Sequence, residues 1–446
     1  MKKPKISIVG TGYVGLCTAV GFASKDYSVI AVDNDAQKIA KISKGIPPFH
    51  EPRLSELLIK GLENGNIKCL NNQTEQAVLE TDLTFITVGT PSKSDGSIDL
   101  QYIESAARDI GRALQQKSSY HVTVVKSTVI PGTTQNVVKP VLEKESKRKC
   151  GEDFGLCMNP EFLRQGSAFE DTINADRLVI GQVDSKSGDA LENFYKGFYI
   201  KNQPPTIRTN LATAELIKYA SNSLLATKIS FINTIANICE KIPGADVKTV
   251  ATAMGLDKRI GPLFLDAGLG YGGSCFPKDV KALIACSKSL GYYPQVLESI
   301  ENVNKIQPLR AVTMCEDLIG DLKDKQIAIL GLAFKPDTDD MREARIIPII
   351  HQLLEKKAVV VTYDPVAIPV AKNIFIDKIQ YSTSAIECLK NSDCCIVATE
   401  WPEFKKLKPE DFIQNMRQPA LVDGRRIYDP EEFSSRLKFA AIGLGQ

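Results

Sequence analysis

The chain has 446 residues, more than one hydrophobic core usually organises, so two or three domains are expected. Its formal net charge of +2, with 43% hydrophobic and 24% charged residues, is typical of a globular protein and gives no electrostatic reason to expect nucleic acid or a membrane surface as a partner. The eleven cysteines include no CxxC pair, which argues against a zinc site or a disulfide framework and favours a reduced, cytoplasmic protein.

Residues 1–203 predict a parallel, doubly wound α/β domain. A strand over residues 5–9 leads into Gly10-Thr-Gly12-Tyr13-Val14-Gly15, a helix follows to about residue 25, and a strand at 27–32 ends at Asp33. Further strand signals at 83–88 and 121–125 are separated by helical patterns. The apolar run at 6–9 is too short for a signal peptide, and no run approaches the roughly 18 residues of a membrane span.

The glycine sequence lies in the context that dinucleotide binding requires, because it follows a strand and opens a helix. The glycines permit a tight turn and a close backbone approach, and the pyrophosphate would lie at the helix N-terminus. Asp33 would bind the ribose 2′-OH and repel a 2′-phosphate, which favours NAD over NADP, with Lys38 as a weak contrary signal. A glycine turn that binds no ligand is the structural alternative.

Residues 204–320 have a mainly helical pattern. Residues 213–241 contain no glycine or proline and predict one helix of about 30 residues, long enough to bridge domains or to line a subunit interface. From residue 321 the strand signals return at 325–331, 359–364 and 392–399, in the order seen in the first domain. The glycine fingerprint is replaced there by Gly331-Leu-Ala-Phe334-Lys335. A nucleotide whose phosphate contacts Lys335 is therefore more plausible than a dinucleotide.

The segment Gly270-Tyr-Gly-Gly-Ser-Cys275-Phe-Pro277-Lys278-Asp279 carries the strongest chemical signal. We expect a helix to start at Pro277, since proline lacks the N–H that would have no partner there. Cys275 would then lie where unpaired N–H groups, the helix dipole and Lys278 favour a thiolate. Asp279 would face the same side of the helix. A buried structural cysteine after a turn is the alternative.

Together with other motifs, these segments resemble the UDP-glucose/GDP-mannose dehydrogenase family over essentially the whole chain. The other motifs are Val88-Gly-Thr90-Pro91, Lys126-Ser-Thr128-Val, Asn159-Pro-Glu161-Phe162-Leu163-Arg164, Glu215-Leu-Ile-Lys218-Tyr-Ala-Ser-Asn222, Arg259-Ile-Gly, Phe334-Lys335-Pro-Asp-Thr-Asp-Asp-Met-Arg342-Glu and Asp423-Gly-Arg425-Arg. The Gly-Gly-Ser-Cys and Arg-Ile-Gly motifs are similar to those of family members that oxidise UDP-glucose. Members acting on UDP-N-acetylhexosamines usually have Gly-Gly-His-Cys, and those acting on GDP-mannose usually lack Arg-Ile-Gly.

The resemblance implies an α/β protein with two Rossmann-type doubly wound domains joined by a helical central region with a long connecting helix. We expect an NAD-binding domain at 1–203, a central domain for dimerisation and catalysis at 204–320, and a UDP-sugar-binding domain at 321–446. The active site is expected in the cleft between them, at the carboxyl ends of the strands. The implied cofactor is NAD, the implied substrate is UDP-glucose, and the implied assembly is a homodimer or a larger homo-oligomer.

The implied reaction oxidises UDP-glucose to UDP-glucuronate with two NAD. By the resemblance, Cys275 adds to the aldehyde to give a thiohemiacetal, whose oxidation leaves a thioester that water hydrolyses. Asp279 is the implied base. Lys218 and Asn222, one turn apart on the long helix, would stabilise negative charge on the sugar oxygen. Their structural alternative is a solvated helix face.

Glu161, assisted by Thr128, is the implied group for the hydrolytic water, with a capping or surface carboxylate as the alternative. The resemblance assigns substrate binding to Glu161, Phe162, Leu163, Arg164, Lys218, Asn222, Arg259, Phe264, Leu265, Gly270, Tyr271, Gly272, Phe334, Lys335 and Arg425. It assigns cofactor binding to Gly10, Gly12, Tyr13, Val14, Gly15, Asp33, Lys38, Thr90, Pro91, Thr128, Gln165, Lys278 and Arg342. For Arg342, a surface pair with Glu343 is the alternative.

Two positions depart from the family pattern. Gln165 stands where relatives usually have glutamate, so a role that needs charge is in doubt there. Asp266 stands where relatives often have lysine or asparagine, and an acid beside a phosphate is unfavourable, so only a backbone contact with substrate is expected.

Other functions remain open at this point. The sugar nucleotide could be GDP-mannose or a UDP-N-acetylhexosamine, and a non-catalytic nucleotide-sugar sensor would need no nucleophile. A two-electron hydroxy-acid dehydrogenase would explain only the cofactor half. The three histidines, His50, His121 and His351, show no metal-binding spacing, and we expect each to be structural and no metal to be bound.

Overall fold

The computed structural model describes residues 3–445. The chain divides into two compact units, with the division between Ser221 and Asn222. The long helix α9 (Leu211–Cys239) begins before this division and ends after it. The three-part boundaries expected from the sequence stay a prediction, because the central helical block and the last block pack within one unit.

The first unit is built on an eight-stranded sheet over residues 3–221, in the order β3-β2-β1-β4-β5-β6-β7-β8. Neighbouring strands are parallel except β6 and β7, which are antiparallel. The strands are β1 (Ile6–Val9), β2 (Val29–Asp33), β3 (Ile67–Asn71), β4 (Leu83–Ile86), β5 (Val122–Val125), β6 (Gly155–Met158), β7 (Leu178–Gln182) and β8 (Thr206–Thr209). Order 3-2-1-4-5-6 is that of the Rossmann fold.

Helices cover both faces of this sheet, so its strands are nearly continuous runs of buried apolar residues. Along β1, Ile6 and Ile8 join one buried core and Val9 joins another. The helices are α1 (Tyr13–Ala23), α2 (Ala36–Ile42), α3 (Leu54–Glu63), α4 (Thr74–Glu80), α5 (Gln101–Gln116), α6 (Lys139–Ser146), α7 (Ala168–Ile173) and α8 (Ser185–Phe198), with a π-helical turn at Thr134–Val138.

The second unit contains a six-stranded, all-parallel sheet in the order β11-β10-β9-β12-β13-β14, the same relative order as the first six strands of the other sheet. The prediction of a second Rossmann-type sheet is therefore confirmed. The strands are β9 (Gln326–Leu330), β10 (Val359–Tyr363), β11 (Gln380–Tyr381), β12 (Cys394–Val397), β13 (Ala420–Asp423) and β14 (Lys438–Ala441).

The central helices share a core with this second sheet. Ile232 and Ala236 of α9 lie in one buried cluster with Ile327 and Ile329 of β9. The helices of this unit after α9 are α10 (Val247–Gly255), α11 (Phe276–Ser289), α12 (Gln295–Ile306), α13 (Leu309–Ile319), α14 (Ile346–Glu355), α15 (Ile368–Phe375), α16 (Ala385–Leu389), α17 (Pro409–Asn415) and α18 (Pro430–Ser434), with a 3₁₀ turn at Phe404–Lys406.

The predicted elements agree with the structure to within a few residues at their ends. The long helix runs over Leu211–Cys239 instead of residues 213–241, and the strand expected at 27–32 runs over Val29–Asp33. Among residues 3–445, no helix combines the length and the apolar character needed to span a bilayer.

Candidate active site

The glycine loop after β1 has a different steric requirement at each glycine. Gly10 has a φ of +98°, and a Cβ there would lie 2.8 Å from the Val88 nitrogen. A Cβ on Gly15 would lie 1.9 Å from the Gly10 oxygen, so only glycine allows α1 to approach the strand end this closely. A Cβ on Gly12, the residue before α1, would have no protein atom within 4 Å. That open space at a helix N-terminus fits a dinucleotide pyrophosphate.

Asp33 lies at the end of β2, and its carboxylate organises the same loop. One oxygen accepts hydrogen bonds from the Thr11 N–H (2.8 Å), the Thr11 hydroxyl (2.9 Å) and the Lys38 ammonium (2.9 Å). Burial raises the pKa of this carboxyl, but the hydrogen bonds from Thr11, Lys38 and Asp35 outweigh burial and lower the pKa overall. Asp33 is therefore an ionised acceptor placed where a ribose hydroxyl would lie.

The loops after β4 and β5 lie side by side. The Ser127 hydroxyl donates to the Val88 carbonyl at 2.7 Å and so ties the segment containing Thr128 to the segment containing Thr90. Thr128 itself is half-buried. These segments follow adjacent strands at the carboxyl edge of the sheet, where α/β proteins bind their ligands.

A buried ion pair joins Glu161 to α9. The Lys218 ammonium lies 3.1 Å from Glu161 Oε1, and both side chains are about 5% exposed or less. The other carboxylate oxygen accepts the backbone N–H of Leu163, and the Lys218 ammonium lies 5.5 Å from the centre of the Phe162 ring. The structure thus brings Glu161, Phe162 and Lys218, all predicted site residues, together in one place.

Arg164 and Gln165, which follow Glu161 in the chain, do not join this ion pair. Arg164 forms a bidentate pair with Asp171, with its Nε 3.2 Å from both oxygens. Gln165 is half-buried and stands at the position where the sequence pattern departs from that of relatives.

Cys275 is the residue before helix α11, so the helix begins at Phe276 and Pro277 is its second residue. The expectation that the helix starts at Pro277 was therefore wrong by one position, because the Asp279 N–H donates to the Cys275 carbonyl at 2.8 Å and closes the first turn there. Cys275 is the one exposed member among the eleven cysteines, none of which forms a disulfide. Its position at a helix N-terminus favours a thiolate.

The glycines before Cys275 allow close contact with the last block of the chain. Gly273 has a φ of +81°, and a Cβ there would lie 2.9 Å from the Phe334 ring. The Gly273 N–H donates to the Arg342 carbonyl at 3.0 Å. Tyr271 exchanges two hydrogen bonds with the side chain of Asn304, at 2.8 and 3.0 Å. The loop at residues 270–275, the cysteine loop, is therefore held by contacts on both sides.

Asp279 is held by two side chains. Its Oδ2 accepts the Asn222 amide at 2.6 Å, and its Oδ1 accepts the Lys278 ammonium at 2.6 Å. The carboxylate is almost completely buried, one helical turn from Cys275. Lys278 thus pairs with Asp279, and its expected effect on the thiol stays a prediction.

Arg425 connects the last block to the loop before Cys275. Its Nη2 donates to the Phe334 carbonyl at 3.0 Å, and its Nε lies 2.9 Å from Glu400. A Cβ on Gly268 would lie 3.3 Å from Arg425 Nη1. The Lys335 ammonium lies 5.8 Å from the centre of the Phe334 ring. Two cations are therefore available beside the loop that ends in the cysteine.

Comparison with known proteins accounts for all three blocks of the chain. Residues 4–199 match the NAD binding domain of the UDP-glucose/GDP-mannose dehydrogenase family, residues 212–306 its central domain, and residues 328–430 its UDP binding domain. The chain belongs to this family.

Individual members of the family are similar over nearly the full chain. A UDP-glucose 6-dehydrogenase of Haloferax volcanii is 42% identical over 96% of this chain and 98% of its own length. A UDP-glucose dehydrogenase structure from Pyrobaculum islandicum superimposes with a TM-score of 0.91 at 38% identity, covering 100% of this chain and 98% of the other. A UDP-D-ManNAc dehydrogenase from Pyrococcus horikoshii gives 0.87 at 26% identity, covering 99% of both chains.

Not every residue expected from the family pattern joins these clusters. Arg259 is 89% exposed and pairs with Asp257. Arg342 pairs with Asp340 through two hydrogen bonds, at 2.9 and 2.6 Å, so the predicted alternative pair with Glu343 was wrong. That pairing raises the pKa of the Arg342 guanidinium.

Two buried carboxylates that the motifs did not identify support the site of this dehydrogenase family member. Glu215 of α9 accepts the N–H of Thr134 at 2.7 Å and that of Gly132, and burial raises the pKa of its carboxyl. Glu51 accepts the N–H groups of Gly166 and Ala168, each at 2.7 Å. Glu215 stands inside the motif that contains Lys218 and Asn222, but only the distant backbone partners of the two carboxylates reveal their role.

Remaining predicted residues line the cysteine loop. Phe264 has a positive φ of 65°, and its ring lies 6.1 Å from that of Phe276, while Leu265 is buried. Asp266 is exposed. Within the part of the chain that is described, no group of three or more His, Cys, Asp or Glu side chains is placed to bind a metal ion.

Proposed function

We propose that this protein is an NAD-dependent UDP-glucose 6-dehydrogenase, which converts UDP-glucose, two NAD and water to UDP-glucuronate and two NADH. The observation that carries the proposal is the exposed Cys275 at the start of α11, one turn from a buried Asp279 held by Asn222. Relatives named as UDP-glucose dehydrogenases support the sugar, since they are more similar to this chain than the hexosamine enzyme is.

The first block, residues 1–203, holds NAD. Its pyrophosphate would lie over Gly12 and its ribose would bind Asp33, with the remaining contacts from Tyr13, Val14, Lys38, Thr90, Pro91, Thr128, Gln165, Lys278 and Arg342. When bound, NAD would supply the hydride acceptor for each of the two oxidations.

The first oxidation requires a base and a site for negative charge. Asp279 removes the proton from the C6 hydroxyl, directly or through a water, because it is an acceptor beside the reacting cysteine. Lys218 and Asn222 are one turn apart on α9, and their ammonium and amide donors stabilise the developing alkoxide, with about 3 kcal/mol from each.

The second oxidation takes place on a covalent intermediate. The Cys275 sulfur attacks the C6 aldehyde, a C–S bond forms, and the carbonyl oxygen takes up a proton to give a thiohemiacetal. Loss of hydride from this carbon and of the proton from its hydroxyl group leaves a thioester. The aldehyde is never released, because the carbon stays bonded to sulfur between the two oxidations.

Hydrolysis completes the reaction. A water oxygen attacks the thioester carbon, its proton passes to Glu161, and the C–S bond breaks to return the Cys275 thiolate and release the carboxylate. Lys218, 3.1 Å from Glu161, is the cation shared by this base and the oxyanion. Thr128 assists in placing the water.

The UDP part of the substrate is held by the loop before Cys275 and by the last block, residues 321–446. Lys335 and Arg425 neutralise the diphosphate, and Phe334 packs the loop glycines into place. Phe162, Leu163, Arg164, Arg259, Phe264, Leu265, Gly270, Tyr271 and Gly272 complete the contacts.

Two further proposals concern assembly and location. The central block, residues 204–320, forms a homodimer through α9, which exposes Leu224, Phe231 and Ile238, one residue every two turns on one face. The enzyme works in the cytoplasm, since none of its eleven cysteines is in a disulfide.

The test is NADH formation with a panel of nucleotide sugars. UDP-glucose is expected to give the highest kcat/KM, and GDP-mannose, UDP-N-acetylglucosamine and UDP-N-acetylmannosamine far lower values. A higher kcat/KM for one of these would overturn the sugar assignment. Tight binding of UDP-glucose with no NADH from any sugar would make the protein a sensor.

A further inference from the structure

Lys126 is a buried lysine that the proposed reaction does not yet use. It follows β5, and only 8% of its surface is exposed. Among residues 3–445, the one hydrogen-bond partner of its ammonium is the neutral Asn159 Oδ1, at 3.0 Å. An ammonium has three donors, so two N–H groups of this buried cation have no protein acceptor.

A second buried lysine of the same unit, at the end of α5, shows what a structural role looks like. The Lys117 ammonium donates to the carbonyl oxygens of Val78, Leu79 and Thr81, so all three of its donors are used. Burying an ammonium is unfavourable unless it is fully paired. Lys126 bears this cost without the compensation that Lys117 has, which points to a functional use of its charge.

The unpaired donors of Lys126 belong to a cavity that Glu161 also lines, together with Thr18 and Tyr195. Asn159, which orients Lys126, is fixed by the Tyr195 hydroxyl and by its own bond to the Val179 carbonyl at 2.9 Å. The cation is thus held rigidly beside the proposed hydrolytic base.

The charges of the three groups act on one another. Burial lowers the pKa of Lys126 to about 8, the negative charge of Glu161 raises it, and the positive charge of Lys218 lowers it. The charges of Lys126 and Glu161 therefore attract each other.

We propose that Lys126 is a positioning residue for thioester hydrolysis, an inference that rests on the function proposed above: its positive charge, in the cavity that Glu161 also lines, complements the carboxylate that accepts the proton of the attacking water. Among residues 3–445, Lys218 is the one cation that forms an ion pair with Glu161, and it is also drawn to the oxyanion. While Lys218 serves the oxyanion, Lys126 maintains the positive potential at Glu161.

Other titratable groups surround this cluster and act in every variant alike. They are Lys218 of α9, Cys17 of α1, Asp171 of α7, Asp176 and Arg177 before β7, and Tyr195 and Tyr199 of α8. Asp171 is paired with Arg164. Burial raises the pKa of Cys17 and of Tyr195, so these two groups stay uncharged near neutral pH.

The test compares Lys126→Met and Lys126→Gln, which remove the charge, with Lys126→Arg, which keeps it, and with Glu161→Gln. Each variant is incubated with UDP-glucose and NAD at pH values between 6 and 9, and the reaction is quenched with acid. Intact-protein mass spectrometry then measures how much of the protein carries a UDP-glucuronyl thioester on Cys275. Thermal unfolding of each variant identifies those that are folded.

Glu161→Gln is expected to accumulate thioester at every pH. The two uncharged Lys126 variants should also accumulate it, because hydrolysis slows about tenfold when the positive charge near Glu161 is lost. Lys126→Arg should resemble the wild type.

Two results overturn the inference in distinguishable ways. If Glu161→Gln accumulates thioester but the uncharged Lys126 variants do not, or if Lys126→Arg accumulates as much as they do, Lys126 has no electrostatic role. If Glu161→Gln itself accumulates none, the proposed role of Glu161 fails first, and that of Lys126 fails with it.

Discussion

The Asn222 amide donates a 2.6 Å hydrogen bond to the carboxylate of Asp279, across 57 positions of sequence. The other carboxylate oxygen accepts the Lys278 ammonium at the same distance. This fixes the orientation of a nearly buried carboxylate one turn from the exposed Cys275. A rigid acceptor beside a nucleophile is the arrangement that proton transfer needs.

Replacement of Asp279 by asparagine should lower kcat by roughly 10²–10⁴-fold, because the amide keeps the shape but cannot accept a proton. Steady-state NADH formation measures the effect, and thermal unfolding shows whether the fold is kept. The control is Asp317→Asn on the exposed surface of α13, which should stay within about twofold of the wild type. Near-normal turnover by Asp279→Asn would remove this carboxylate from the chemistry.

The glycine loop offers a paired test of cofactor binding against folding. Gly12→Ala adds a methyl where no protein atom lies within 4 Å, so stability should hardly change while the KM for NAD rises roughly tenfold or more. Gly15→Ala places a methyl 1.9 Å from the Gly10 oxygen and should lower the free energy of unfolding by about 3 kcal/mol. NAD titration and urea unfolding separate the two effects, and an unchanged KM in Gly12→Ala would contradict this placement of the pyrophosphate.

His121 should make the first unit less stable in acid. Its Nδ1–H donates to the Thr81 carbonyl at 3.1 Å, its Nε2 accepts the Thr84 hydroxyl at 2.8 Å, and burial, reinforced by the charge of Lys117, lowers its pKa to about 3. The unfolded chain takes up a proton below its ordinary pKa of about 6.5, whereas the folded chain does not, so stability falls as pH falls from 6.5 towards 3.

At pH 5 this loss should be about 2 kcal/mol relative to pH 8, or roughly 5 °C in Tm. His121→Gln lacks the titrating ring, so its Tm should fall by that much less between the two pH values. Equal acid sensitivity of the two proteins would show that His121 is not the group responsible.

The exposed stripe on α9 predicts that Phe231→Glu weakens the dimer. A charge at the centre of a buried apolar interface costs several kcal/mol, so the variant should be monomeric at micromolar concentration in sedimentation velocity. Thr252→Glu on the exposed side of α10 is the matched control and should leave the assembly unchanged. A Phe231→Glu variant with the wild-type assembly state would place the interface elsewhere.

Local sequence signals predicted much of this molecule. A strand, three spaced glycines and a terminal carboxylate produce the Gly10–Asp33 arrangement by short-range geometry, and the absence of glycine and proline produces α9. Lys218 and Asn222 follow from helical spacing alone, since both lie on one helix.

The remaining features depend on contacts between distant segments, which no local pattern encodes. Asn159 orients Lys126 from 33 positions away, and Glu215 accepts the Thr134 N–H from 81 positions away. Long side chains such as these have several partners within reach, and packing selects among them.

The most direct measurement is the number of NADH formed per UDP-glucose consumed, with the wild type beside Cys275→Ser. Two NADH per sugar, with no free aldehyde captured by an added hydrazine, is the expected wild-type result, and Cys275→Ser should release no UDP-glucuronate. A yield of one NADH per sugar, or a Cys275→Ser variant that still makes UDP-glucuronate at the normal rate, would contradict covalent oxidation on this cysteine.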